Sequence, residues 1–139
     1  MKKVMQTVTG LGGNCEGAVL ATVLGLDLED IPSFWSESGK ENPTFPKEGA
    51  AYQERLNAFL KQHGYQSLSL GANEPHEDWV MGISMNMKGV PLIVGGMSPR
   101  GFMHAVIYKD GFLWHDPHPE GGGVIPYHIA FLVPTFGAI

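Results

Sequence analysis

Four residues have the types and the order to do chemistry together: Gln6, Cys15, His104 and Asp116. Cys15 is the only cysteine in the 139 residues. It follows Gly12-Gly13-Asn14 and opens an apolar run, so the thiol is expected at a helix N-terminus with Asn14 as the N-cap. Unpaired backbone N–H groups and the positive end of the helix dipole converge there and favour a thiolate. A nucleophile also needs a base within hydrogen-bond reach and a third group to orient that base.

Six histidines are available as the base. His63 falls in the last turn of a predicted surface helix and His76 in a polar turn, where ordinary structural roles account for both. His128 lies in the last predicted strand, where pairing and exposure cannot be separated. His104 differs, because Phe102, Ala105, Val106, Ile107 and Tyr108 surround it with apolar strand residues, and a desolvated imidazole needs a specific partner. Asp110-Gly111 is a two-residue hairpin signal. With Lys109 opposite Phe112, counting back puts Asp116 opposite Ala105, one step from His104, and a β-bulge could close that step. The chemistry read from these residues is nucleophilic attack by Cys15, general base and later general acid catalysis by His104, and orientation of the ring by Asp116. Gln6 could donate its side-chain amide to an oxyanion beside the N–H of Cys15. Gly13 and Asn14 before the thiol and Met103 before the histidine are placed to contact substrate. Plain structural readings stand beside these: a lone cysteine as a small core residue, His104 as a satisfied core imidazole, Asp116-Pro117 as a turn starter and Gln6 as an exposed strand residue.

The elements that must position these groups follow from periodicity. Residues 4 to 8 read as a short extended segment with Gln6 on the face opposite Met5 and Thr7. The run Cys15 to Leu24 is predicted as a buried central helix ended by Gly25. Asp27 with Asp30 resembles a capping pattern for one or two helical turns before Pro32. Residues 33 to 46 read as a loop docked by Phe34 and Trp35, bordering a cleft. Lys47 to His63 carries Tyr52, Leu56, Phe59 and Leu60 at helical spacing and ends at Gly64. Tyr65 to Leu70 alternates like a half-buried strand, a turn follows at Glu74-Pro75, and His76 to Met87 reads as a short helix with Trp79, Val80, Ile83 and Met87 inward. Four strands are expected in the C-terminal third: 90 to 94, 102 to 109, 112 to 115 and 127 to 133. Trp35, Trp79 and Trp114 read as packing residues. Helices first and an antiparallel meander afterwards argue for a single α+β domain over residues 1 to 139, its helices on one face of the sheet.

Composition narrows the partners. A net charge of −5 supplies no basic footprint, so nucleic acid and anionic membrane surfaces are set aside. One cysteine allows neither an intrachain disulfide framework nor a Cys-rich zinc site, which suits a reducing compartment, and the cytoplasm is the expected location. Met1-Lys2-Lys3 is not followed by an apolar targeting segment. The 19 glycines and 10 prolines fall between periodic segments, so they read as turns rather than as a linker.

Gln6, then Gly-Gly-Asn-Cys opening an apolar helix, then Met-His-Ala-Val-Ile-Tyr in a strand and Trp-His-Asp-Pro closing the next, resembles the papain-like cysteine peptidase superfamily. The similarity is greatest to the compact branch of the bacteriocin-leader (double-glycine) peptidases and small phage and bacterial proteins. It covers nearly the whole chain in element order and rests on four specific residues. It implies a papain-like fold and maps the oxyanion glutamine, nucleophilic cysteine, base histidine and orienting aspartate onto Gln6, Cys15, His104 and Asp116, with no cofactor. The interval from Gln6 to Cys15 is longer than the family usually shows, and Asn14-Cys15-Glu16-Gly17 replaces its more common Asp-Cys-Gly start. The expected function is a thiol hydrolase cleaving an amide, peptide or isopeptide bond in a peptide, protein or small-molecule substrate. A catalytically silent papain-like binding or inhibitory module is the alternative. A metal-dependent hydrolase built on His104, His115, Asp116 and His118 is a third reading.

Overall fold

The computed structural model describes residues 1 to 10, 12 to 35, 47 to 71 and 76 to 136. The expected Glu74-Pro75 turn and all but the first three residues of the loop at 33 to 46 lie outside the described residues. The fold is α+β. Its helices are α1 (Cys15–Leu24), α2 (Lys47–Gln62) and α3 (Glu77–Asn86), with a 3-10 turn at Leu28–Asp30. The strands are β1 (Tyr65–Gly71), β2 (Leu92–Met97), β3 (Met103–Lys109), β4 (Phe112–His115) and β5 (Ile125–Pro134). They form one antiparallel sheet in the order β1-β5-β2-β3-β4. Contacts divide the chain into two compact units: Met1–Pro32 with Ser69–Phe131, and Ser33–Leu68 with the C-terminal residues from Leu132.

Every candidate site residue belongs to the first unit. Ala18, Val19, Leu20 and Ala21 are buried to within 2% exposure, which makes α1 a core helix, and it packs on β3. Gly25 ends α1 at φ 71°, a conformation that glycine adopts without a Cβ clash, and the Leu26 N–H closes back on the Ala21 carbonyl at 2.9 Å. Val80 of α3 packs with Leu92, Val94, Val106, Tyr108 and Ile129, and Trp79, Ile83 and Met87 flank that cluster as the helical spacing predicts. In the second unit, Phe34 meets Tyr52 and Phe59, and Trp35 stacks on Tyr52 at 4.3 Å.

Three expectations change. Residues 4 to 8 join no strand ladder, because their backbone groups are taken up elsewhere: the Val4 N–H donates to Thr22 Oγ1, the Val4 carbonyl accepts from the His115 ring, and the Gln6 N–H donates to the Pro117 carbonyl. One helical turn forms after Asp27 as expected, as a 3-10 turn, but the Asp27 side chain makes no cap bond. Trp114 lies against the ammonium groups of Lys3 at 4.7 Å and Lys109 at 5.7 Å rather than in a purely apolar environment.

Candidate functional site

The β3–β4 hairpin positions His104 against Asp116. Asp110 and Gly111 both take positive φ, 55° and 90°, the conformation of a tight two-residue hairpin turn. Lys109 pairs with Phe112 and Tyr108 with Leu113, but Ile107 then pairs with His115. Trp114 is therefore the extra residue of a bulge. Because side chains alternate across a strand, the inserted residue moves Asp116 onto the face that His104 occupies. The His104 Nε2–H donates to Asp116 Oδ1 at 2.7 Å, with both side chains almost fully buried. On the neighbouring strand Gly96 stands opposite His104. A Cβ at Gly96 would fall into the backbone of Ile125, so only glycine lets β5 approach β2 there.

Cys15 is the first residue of α1 and is partly exposed. Its side chain is near enough to the His104 ring to raise that ring's pKa. Since Nε2 is committed to Asp116, Nδ1 is the nitrogen left for the thiol. Burial is the largest influence on His104 and pulls its pKa down. The hydrogen bonds to Asp116 and then Cys15, with the charges of both, outweigh it and hold His104 at about 9. Burial likewise pushes Asp116 up, but the His104 bond and the N–H groups of His118 and Gly123 hold it at about 2.

The chain before α1 is held by Asn14. Its Oδ1 accepts the N–H groups of Thr7 at 3.0 Å and Val8 at 2.9 Å, and its Nδ2 donates to Thr7 Oγ1 at 2.9 Å. The expected N-cap is corrected here: Asn14 occupies the N-cap position with no side-chain cap bond, because its carboxamide clamps Thr7 and Val8 instead. Those same bonds occupy the group expected to contact substrate. At Gly13 a Cβ would come within 2.9 Å of the Gly10 and Val8 carbonyl oxygens, so glycine is required by close approach. Met103, 61% exposed beside His104, remains free to touch a bound molecule.

Gln6 is brought to the same helix start. It is 6% exposed, not an exposed strand residue, and its Nε2 donates to the Val8 carbonyl at 2.9 Å. That carbonyl also accepts the Asn14 N–H at 3.2 Å, which places the carboxamide next to the residue preceding Cys15. One Nε2 hydrogen is thus spent and one remains, while Oε1 is buried without a partner.

The C-terminal hairpin histidines have other partners. The His115 Nε2–H donates to the Val4 carbonyl at 2.7 Å, and His118 Nδ1 accepts from the Glu120 N–H at 3.0 Å. Among the described residues no three His, Cys, Asp or Glu side chains gather as a metal donor set. His63 hydrogen-bonds the Phe59 carbonyl, and His76 Nδ1 caps α3 by accepting from the Asp78 N–H. A cavity of about 320 Å³, lined by Lys3, Leu26 and Leu28, lies at the C-terminal end of α1, away from the thiol.

Sequence reasoning gave no task to three groups that hold Asp116: the His118 and Gly123 N–H groups, and Arg100, which anchors the intervening loop. The signal was present in the Gly121-Gly122-Gly123 run, which only backbone N–H groups could make useful after an aspartate. No family model matches the chain, and no curated protein or solved structure matches it either.

Proposed function

We propose that the chain is a papain-like thiol hydrolase acting on an amide, peptide or isopeptide bond, related to the compact bacteriocin-leader peptidase branch and its phage and bacterial relatives and working in the cytoplasm. The observation that carries this reading is the buried His104 imidazole held on the Asp116 carboxylate at 2.7 Å, with the Cys15 side chain near enough to perturb its pKa. The Cys15 thiol gives its proton to the His104 ring, the thiolate attacks the carbonyl carbon, and the oxygen takes up the charge against the Cys15 N–H and the remaining Nε2–H of Gln6. An imidazole that keeps its proton to about pH 9 rests as an imidazolium at neutral pH, ready to protonate the leaving amine. Water, deprotonated by the neutral ring, then splits the thioester and regenerates the thiol. Asp116 keeps the proton-bearing Nε2 turned away from the sulfur throughout. Among the described residues no helix is long and apolar enough to cross a membrane.

A silent binding module of the same fold is the second reading, favoured by the Gln6 amide turned onto the Val8 carbonyl. An activated ester separates the two. With p-nitrophenyl acetate the hydrolase gives a burst of nitrophenol, an acetyl adduct on Cys15 by mass spectrometry and subsequent turnover. His104→Ala is expected to slow the burst by about 100-fold or more. Acylation of Cys15 at equal rates in the wild type and His104→Ala defeats the hydrolase reading and leaves the binding module.

A further inference from the structure

His118 is 8% exposed, two residues beyond Asp116 and between two prolines, and it takes no part in the chemistry above. Its surroundings are organised around Asp116. Its own N–H donates to Asp116 Oδ1 at 2.9 Å. Its Nδ1 accepts from the Glu120 N–H at 3.0 Å and its carbonyl accepts from the Gly121 N–H at 3.0 Å, so the turn from 118 to 121 is closed twice. Arg100, in the turn between β2 and β3, fastens the same turn from outside by donating Nη1–H to the Gly121 carbonyl at 2.7 Å. The chain that leaves this turn delivers the Gly123 N–H to Asp116 Oδ2 at 2.8 Å.

These bonds have a directional consequence. A carboxylate held by the His104 ring alone could rotate about its terminal torsion, which is broad for aspartate. Two backbone N–H groups on separate oxygens fix its plane, and with it the axis along which the His104 Nε2–H must point. The His118 ring adds a second constraint, standing edge-on to the His104 ring with centroids 6.0 Å apart and planes at 85°. An accepting Nδ1 is unprotonated and leaves the ring hydrogen of His118 on Nε2.

We propose that His118 is a positioning residue for the His104–Asp116 pair, its Nδ1 holding the turn that carries the Gly123 N–H to the Asp116 carboxylate. Its relevance to catalysis rests on the hydrolase reading, whereas the positioning itself can be read directly from the His104 ring. The groups facing that ring are Cys15, Asp116 and His118, with Arg100 and Glu120 on the supporting turns.

Titration of the His104 ring by NMR, with Cys15 alkylation followed in parallel, tests the proposal in His118→Asn and His118→Phe. Asparagine can accept from an N–H two residues on, as in an Asx turn, and phenylalanine keeps a ring but cannot accept. His118→Phe is expected to lower the His104 midpoint by about one pH unit or more, and His118→Asn by less than about half a unit. A merely structural role would lower the unfolding midpoint without moving this titration. A folded His118→Phe protein in which His104 titrates as in the wild type overturns the proposal. Should His118→Phe not fold, Arg100→Ala loosens the same turn from the other side: a lowered His104 midpoint supports the proposal, and an unchanged one overturns it. If Cys15 alkylation proves independent of His104 while His118→Phe still shifts the titration, the hydrolase reading falls and the positioning role stands.

Discussion

At the scale of single residues, the site depends on side chains whose hydrogen bonds hold the neighbouring backbone in place. Asn14 is the clearest case. Its three hydrogen bonds to Thr7 and Val8 hold the chain that brings Gln6 to the start of α1. These bonds are solvent-exposed, so water can take over the N–H groups that their removal frees. Asn14→Ala is expected to cost about 0.5–1.5 kcal/mol of stability, measured by urea denaturation, and to slow acylation of Cys15. Asn14→Asp keeps both accepted N–H bonds and adds a negative charge at a helix N-terminus, so it should retain most of the stability. Equal losses in the two variants would show that the clamp on Thr7 and Val8 is not what Asn14 contributes. Asp116 follows the same pattern, with both carboxylate oxygens accepting bonds, and this holds its pKa well below the usual aspartate range despite its burial.

Among the elements, α1 and the β3–β4 hairpin were legible because short-range signals determine them. Gly12-Gly13 before Cys15 and Gly25 after Leu24 bracket ten helical residues, and Asp110-Gly111 selects its turn by the positive φ it tolerates. That a bulge would be needed to unite His104 with Asp116 could be anticipated from the strand count. That Trp114 is the inserted residue could not, because the strand count does not say at which position the extra residue falls. Residues 4 to 8 read as an extended segment, yet their partners are the side chains of Asn14, six and seven residues on, and of the more distant Thr22 and His115, none of which periodicity reveals. The burial of Ser84 on α3 was missed for the same reason: its Oγ accepts the Gly111 N–H at the hairpin turn. Asn14 was placed correctly and given the wrong bond, since N-cap residue type specifies an acceptor without specifying which N–H it takes.

For the whole molecule, the perturbed groups combine into a pH dependence of stability. Asp116, lowered from 3.8 to about 2, contributes stability that is present above its unfolded value and lost as pH falls towards 2. Glu16 has no hydrogen-bond or ion-pair partner among the described residues, and burial raises it from 4.5 to about 7. The folded chain therefore keeps a proton there that the unfolded chain has lost, and stability falls as pH rises through that interval. His104, raised from 6.5 to about 9, stabilises fully below its unfolded value and ceases to do so as pH rises through 9. These three contributions are jointly most favourable near pH 4, but burial lowers the pKa of His128, whose contribution grows as pH rises towards its unfolded value of 6.5 and offsets part of the Glu16 loss, so the denaturation midpoint should fall chiefly from about pH 7 to pH 9, where His104 loses its proton. Glu16→Gln should flatten the part below pH 7 and raise stability at neutral pH; a profile equally steep in that variant would remove Glu16 from the account. If Cys15, His104 and Asp116 act as one unit, carboxamidomethylation at pH 6, mapped to Cys15 by peptide mass, runs about tenfold or more faster in the wild type than in His104→Ala, and the gap narrows towards pH 10, where any cysteine ionises; equal rates at pH 6 would show that the three residues do not act together.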